Sequence, residues 1–207
     1  MDPNSFPTKG NLILAKNSLA LAKQGYELMD KKRNILIKEL MDLIDKADRI
    51  QNDILKTYET AYMALQKANI DIGINTVMEV AGAAPVEDGI TIKTRSIMGV
   101  EIPHIRMKEK EIKPTYSFYG STESLDTARI AFERVKMLSL ELTEIENSAY
   151  RLAYNVKKTQ KRANALQNIT IPKYEELTKS ISNALEEKER EEFTRLKVIK
   201  RRMNEAG

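Results

Sequence analysis

Few side chains in this sequence could perform acid–base or metal chemistry, and they are scattered. His104 is the only histidine and cysteine is absent, so no thiolate or histidine cluster can bind a metal. The carboxylate pairs Glu141/Glu144 and Glu187/Glu191 have the spacing of an exposed helix face, whereas catalysis would need burial to shift a carboxyl pKa. We therefore predict no catalytic, metal-binding or cofactor-binding residues, and we interpret His104 as structural or solvated.

The sequence also lacks the motifs that bind nucleotides or activate nucleophiles: there is no GxxxxGK[ST], no GxGxxG after a strand, no HExxH and no GxSxG. Its 34 Lys and Arg are interspersed with 30 Asp and Glu, for a net charge of +4. This mixture is not the one-signed surface of a polyanion-binding protein. We predict that nucleic acid is not a partner, and a nucleic-acid-binding rod stays a third hypothesis, which would require binding that weakens steeply with salt.

The start of the chain and its hydropathy bear on localisation. Residues 1–5 lack the basic and apolar regions of a signal peptide, and no apolar run approaches the length of a membrane span. We expect a soluble, cytoplasmic protein without direct membrane insertion.

Two long stretches must supply the framework, because their apolar residues recur at alternating spacings of three and four, which is typical of a coiled-coil seam. In the first stretch only Arg33 interrupts the seam of Leu12, Ala15, Leu19, Ala22, Tyr26, Met29, Leu36, Leu40, Leu43, Ala47, Ile50 and Ile54. The second seam comprises Ala128, Ala131, Val135, Leu138, Leu142, Ile145, Ala149, Leu152 and Val156. Each stretch predicts a long helix, and each is a candidate partner for the other.

The expected boundaries follow from capping residues and prolines. After an irregular segment at 1–7, the first helix should occupy 8–68, with Thr8 as its N-cap. The second should occupy 123–171, and a kink or break is expected at Pro172. Residues 172–207 then form a kinked or continuing helical segment that contains a charged block, Glu186 to Glu192.

The region between the helices, 69–122, has a different pattern. Ile90, Ile92 and Thr94 alternate with polar residues before Gly99, and the alternation resumes after it. This pattern predicts a β-hairpin at about 90–106, with Gly99 supplying the positive φ of a tight turn. Pro103 indicates that the second strand is an edge.

The fold class predicted is mostly α: a long antiparallel, left-handed two-helix coiled coil with a small β-hairpin foot at the end opposite the termini. A register with Leu65 facing Thr122 would place Leu12 opposite Glu175 to Leu177. The seam positions expected to hold the helices together are Leu36, Leu40, Leu43, Ile50, Leu138, Leu142, Ile145 and Leu152.

Four segments, in order, match one family. They are Pro7-Thr8-Lys9 with Gly25-Tyr26 and Lys32-Arg33, then Ile97-Met98-Gly99-Val100 with Pro103, then Lys161 to Leu166 with Ile171-Pro172, and finally Leu185 to Glu187, Glu189 to Phe193 and Arg195 to Lys197. With these segments the chain resembles the D subunit of V-type and A-type rotary ATPases along essentially its whole length.

The resemblance implies a non-catalytic central axle that couples ATP hydrolysis or synthesis in a catalytic head to proton or sodium movement through a membrane ring. The implied partners are the hexameric head of A and B subunits, the small F subunit of the central stalk and the subunit that caps the ring, so the chain would be peripheral to the membrane through the complex. Candidate head contacts are Lys9, Lys188, Arg190, Glu191, Glu192, Phe193, Arg195 and Lys197. The candidate hairpin residues are Ile97, Met98, Gly99, Val100 and Pro103, and the hairpin is implied to help stimulate ATP hydrolysis.

A free-standing coiled-coil scaffold or adaptor, such as a homodimer whose seams pair between chains, is the alternative function.

Overall fold

A computed structural model describes residues 6–84, 88–107, 116–117 and 119–206. Most of the irregular segment expected at 1–7, and residues 85–87, 108–115 and 118 of the expected foot region, lie outside the described residues. The chain divides into two compact units. One consists of residues up to Asn34 together with those from Lys157 onward, and the other of Ile35–Val156.

Helices dominate the described chain. In order, the elements are α1 (Lys9–Ile72), α2 (Ile74–Gly82), β1 (Ile90–Ile97), β2 (Val100–Met107), α3 (Glu123–Ala165), a π-helical turn (Leu166–Thr170) and α4 (Ile171–Ala206). Helix α1 begins after Thr8, whose hydroxyl oxygen accepts the Asn11 N–H at 3.2 Å, which is the bond that an N-cap makes. It ends before Gly73, which has a φ of 86°.

Within the Ile35–Val156 unit, α1 and α3 form an antiparallel pair. Near the loop between them the Ser124 hydroxyl donates to an Asp71 carboxylate oxygen at 2.7 Å, and further along the pair Leu36 packs with Leu152. The short helix α2 packs at the end of the helix pair where the loop connects α1 to α3, which we call the loop end. There Val77 of α2 forms a small core with Ala68 and Leu125. The mostly α fold class, with its long helix pair and hairpin, is confirmed.

The hairpin belongs to the same unit but lies beside the helices. Val100 and Ile102 of β2 share a core with Leu36 and Leu152, and Leu36 is about 50 Å of helix away from the end of α1 at 1.5 Å per residue. The expectation placed the hairpin at the loop end of the pair, whereas here it folds back along the helices. The physical reason is that two strands are marginally stable alone, so their apolar face must be covered.

Met98 and Gly99 form the two-residue turn of the hairpin. Their φ values are 50° and 76°, as a type I′ turn requires, and Ile97 pairs with Val100 across the turn. The positive φ expected at Gly99 is therefore present, and Met98 adopts the same left-handed region without the freedom of a glycine.

In the other unit, the first part of α1 runs antiparallel to the end of α3 and to α4. Lys23 pairs with Glu175 at 2.7 Å and Lys9 with Glu189 at 3.1 Å. Leu12 therefore lies opposite residues beyond Leu177, which corrects the register expected from the sequence. That register started from Leu65 facing Thr122, whereas in the structure Asp71 is the α1 residue bonded to the start of α3.

A π-helical turn precedes Pro172. The Ile171 N–H donates to the Leu166 carbonyl, which is the five-residue spacing of a π-turn. Pro172 is consequently the second residue of α4, and the helix continues through Ala206. The wider turn lets the chain pass a residue that has no N–H to donate.

Candidate functional site

Side chains of α3 hold the outer edge of β2. The Glu144 carboxylate accepts the Ile105 backbone N–H at 2.6 Å and lies 2.9 Å from His104 Nδ1. Arg151 donates to the Glu101 carbonyl at 3.1 Å. These contacts give His104 a structural role and correct the interpretation of Glu144 as part of an exposed helix face.

Between the hairpin and the helices lies an open groove of about 550 Å³. Its polar lining includes Glu39, Lys46, Arg95, Glu141 and Glu144. Acidic and basic groups are mixed there, and within the described ranges no three His, Asp or Glu side chains converge as metal ligands do. The groove therefore has the character of a boundary between packed elements.

At the loop end of the same unit, Tyr116 bridges to α3. Its hydroxyl donates to the Asp126 carboxylate, and the Arg129 guanidinium lies 5.4 Å from its ring centroid, within cation–π range. Burial, followed by the hydrogen bond to Asp126, raises the pKa of Tyr116, although Arg129 opposes the shift. The contacts keep the phenol protonated and tie the residue to the start of α3.

The eight candidate head contacts are all exposed, and all but Lys9 lie on α4. Lys9 lies beside α4, where its ammonium group forms an ion pair with Glu189. Other ion pairs run within α4, joining Arg195 to Glu191 at 3.8 Å and Arg190 to Glu186 at 4.0 Å.

Phe193 is 69% exposed and belongs to an apolar stripe with Leu196, Ile199 and Met203, all of which are exposed. The arrangement is a surface of charge and apolar side chains without a covering element among the described residues.

The candidate seam residues line the interface of the helix pair. Leu36, Ile145 and Leu152 are buried, and Leu40, Leu43, Ile50, Leu138 and Leu142 are half-buried. Among the hairpin candidates, Val100 is buried, Ile97 and Pro103 are half-buried, and Met98 and Gly99 are exposed at the turn. The core at Leu36 and Leu152 brings seam and hairpin candidates together.

Sequence reasoning missed the two α3 residues that hold the hairpin. Glu144 is separated from Ile105 by 39 residues and Arg151 from Glu101 by 50, so no local pattern links them. The only signal in the sequence was Pro103, which marked β2 as an edge that needs such partners.

None of the described helices combines the length and the apolar character needed to cross a membrane.

Comparisons with known proteins give one result. A family model for the D subunit of ATP synthase matches residues 11–201. The chain is 44% identical to the V-type ATP synthase D subunit of Thermotoga neapolitana, over 95% of this chain and 97% of the relative. It is 36% identical to the A-type ATP synthase D subunit of Pyrococcus horikoshii, over 94% and 92%, and 35% identical to that of Methanosphaera stadtmanae, over 96% and 94%. The chain belongs to the family of ATP synthase D subunits.

Proposed function

We propose that this chain is the central rotor axle of a V-type or A-type rotary ATPase and that it couples nucleotide chemistry in the catalytic head to ion movement through the membrane ring. The observation that carries the proposal is that the heptad seams are covered within the chain. Leu36, Ile145 and Leu152 are buried in one unit, and Ala15, Ala22 and Ile181 are buried in the other. An axle must be stiff by itself, and paired helices resist bending and twisting better than a single helix.

The surface of α4 suits a part that turns inside a sleeve. From Glu186 to Asn204 every residue is exposed, and the ion pairs there are solvated and individually weak. Such contacts can be exchanged as the axle turns, whereas a large apolar interface would lock one orientation. In a head with three equivalent catalytic interfaces, an asymmetric axle would make the three sites inequivalent and so link angle to nucleotide state.

The same proposal assigns partners to the surfaces. The termini, including Lys9 and the α4 surface, would contact the hexameric head, the middle of the helix pair would bind the small F subunit, and the loop end would engage the subunit that caps the ring. The chain itself would catalyse nothing and would be held at the cytoplasmic side of the membrane through these partners. The hairpin would contribute to stimulation of ATP hydrolysis in the head.

Truncation after Leu185 tests the axle. Because Glu186 to Asn204 are exposed, the shortened chain should keep its thermal unfolding temperature. In the reconstituted complex, the number of ions moved per ATP hydrolysed should fall, because the head would no longer grip the axle.

Truncation after Met203 is the matched control and should leave both quantities unchanged. An unaltered ratio of ions to ATP after removal of the whole segment would contradict the axle function.

A further inference from the structure

The two outer edges of the hairpin differ in how their backbone groups are satisfied. Ile97 and Val100 flank the two-residue turn and so form a hydrogen-bonded pair. From this pair outward along the strands, non-hydrogen-bonded and hydrogen-bonded pairs alternate. The non-bonded pairs, whose N–H and C=O groups point away from the other strand, are Ser96/Glu101, Thr94/Pro103, Ile92/Ile105 and Ile90/Met107.

On β2, two of these outward groups form hydrogen bonds with side chains of α3, and one N–H is absent because the residue is a proline. The Glu101 carbonyl accepts from Arg151, and the Ile105 N–H donates to Glu144. Pro103 has no N–H at all. This edge is therefore closed to strand pairing by α3 and by a proline, two devices that proteins use to protect sheet edges.

On β1 the outward groups are open. Every residue from Ile90 to Ser96 is exposed, and no hydrogen bond joins the outward N–H and C=O groups of this strand to any residue in the described ranges. The strand contains no proline and no bulge, and it is rich in β-branched residues that favour extended structure. An eight-residue edge of this kind is a template for another strand.

We propose that β1 is a docking edge that accepts an extended segment from another protein of the ATP synthase complex as a third strand, with acidic side chains at alternate positions of that segment. The charge requirement comes from Lys93 and Arg95, which lie on one face of β1, with Arg106 on the same face of β2. Val100 and Ile102 of β2 share this face, and Arg95 borders the groove that Glu39 and Glu141 also line, so Lys93 is the cation of β1 that lies outside the groove lining. These three side chains are exposed, and none forms an ion pair with a described residue.

The same cations argue against a second copy of this chain as the occupant. Pairing of β1 with β1 of another copy would set Lys93 and Arg95 beside like charges, which destabilises strand pairing. A neutral segment would gain only the backbone hydrogen bonds, whereas an acidic one would also neutralise the exposed cations. The inference does not depend on rotation, because it needs only membership of the assembled complex.

Residue-resolved deuterium exchange on the assembled ATP synthase and on the isolated chain tests the docking edge. In the complex, the outward amides of Ile92, Thr94 and Ser96 should exchange at least about tenfold more slowly than in the isolated chain. The inward amides of Lys93 and Arg95, already bonded to β2, should change little. Equal exchange of the outward amides in both samples would overturn the proposal, and so would the same slowing in a concentrated sample of the isolated chain, which would indicate a second copy.

A matched pair of variants separates strand pairing from other contacts. Thr94→Pro removes one outward N–H without touching the ladder to β2, and Thr94→Val keeps that N–H and the β-branched shape. Thr94→Pro should weaken association with the rest of the complex about tenfold, and Thr94→Val should not. Continued slow exchange at Lys93 and Arg95 will show that the hairpin of the proline variant is intact.

Reversal of charge tests the occupant. Lys93→Glu should weaken association by a similar factor, whereas Lys93→Gln should weaken it less. Association unchanged by Thr94→Pro in an intact hairpin, or strengthened by Lys93→Glu, would contradict an acidic third strand.

Discussion

At the scale of single residues, small side chains at the helix interface set how closely the helices approach. Ala15, Ala22 and Ala163 are at most 7% exposed in one unit, and Ala61 and Ala68 are fully buried in the other. A methyl group fills little space, so the backbones must come close to exclude water there. Such positions tolerate added bulk poorly, because overpacking displaces the partner helix.

Gly25 is a position where one methyl group should fit. A Cβ built there would lie 3.8 Å from Leu166 Cδ1, an ordinary contact distance, and a glycine inside a helix costs conformational entropy. Gly25→Ala should therefore raise the free energy of unfolding by about 0.5–1 kcal/mol, measured by urea denaturation. Gly99→Ala provides the contrast and should lower it, because φ there is 76°. A loss of stability in Gly25→Ala would mean that the helices are closer than described.

Tyr116 gives a prediction about alkaline pH. Its pKa is raised above the ordinary value of 10.0, so the folded chain holds the phenolic proton more tightly than the unfolded chain does. The resulting stabilisation is fully present below about pH 10 and is lost as pH rises through the raised pKa. As pH rises above about 10, the free energy of unfolding should fall more steeply in the natural chain than in Tyr116→Phe. Tyr119→Phe, at a residue that is 97% exposed, should behave like the natural chain, and parallel curves for all three proteins would contradict the prediction.

At the scale of elements, the sequence indicated the helices and strands well and their packing less well. The first helix was expected at 8–68 and occupies Lys9–Ile72, and the hairpin was expected at about 90–106 and occupies Ile90–Met107. Helix α2 was not anticipated, because its residues lie between glycines in a region with a loop-like composition. Its helical state depends on Val77 packing against Ala68 and Leu125, which is tertiary information. The position of the hairpin likewise depends on contacts between residues far apart in sequence.

Leu152 is the residue through which α3, α1 and the hairpin share a core. It is fully buried together with Leu36, and both belong to the cluster that contains Val100 and Ile102. Leu152→Ala should lower the free energy of unfolding by about 2–5 kcal/mol, measured by urea denaturation, and should speed amide exchange in β2. Leu55→Ala is the control, because Leu55 is 63% exposed, and its effect should be within about 0.5 kcal/mol. A similar loss in both variants would show that the hairpin core is not the stabilising contact.

At the scale of the whole molecule, composition and seam pattern already indicated a mostly α-helical protein. With 31% charged and 6% aromatic residues, the chain has few large side chains for a broad core, and its burial is concentrated along the helix interface. The axle assignment came from the family resemblance, and the family itself is established by the comparisons. The sequence could not show which backbone groups would be left without a hydrogen-bond partner among the described residues, such as those on the outward edge of β1. That depends on how the hairpin packs against the helices.

The isolated protein should sediment as a single chain, because its seams are covered internally. Sedimentation velocity at increasing protein concentration should give a constant mass of one chain. A concentration-dependent dimer would instead favour the scaffold alternative, in which seams pair between chains. Addition of the purified F subunit should shift the boundary to a one-to-one complex if the axle assignment is correct.

The π-helical turn has a further consequence for the angular position of everything after it. A π-turn contains one residue more than an α-turn. The side chains of α4 therefore point in the directions that they would have in a regular α-helix from which one residue had been removed. Deletion of Gln167 should therefore convert the turn to regular α-helix while the later side chains keep their directions. The same deletion placed beyond Thr170 would rotate every following residue by about 100° around the axis and carry Ile181 out of the interface. This segment is thus the place where the chain can change its length by one residue without changing which way its carboxy-terminal helix faces.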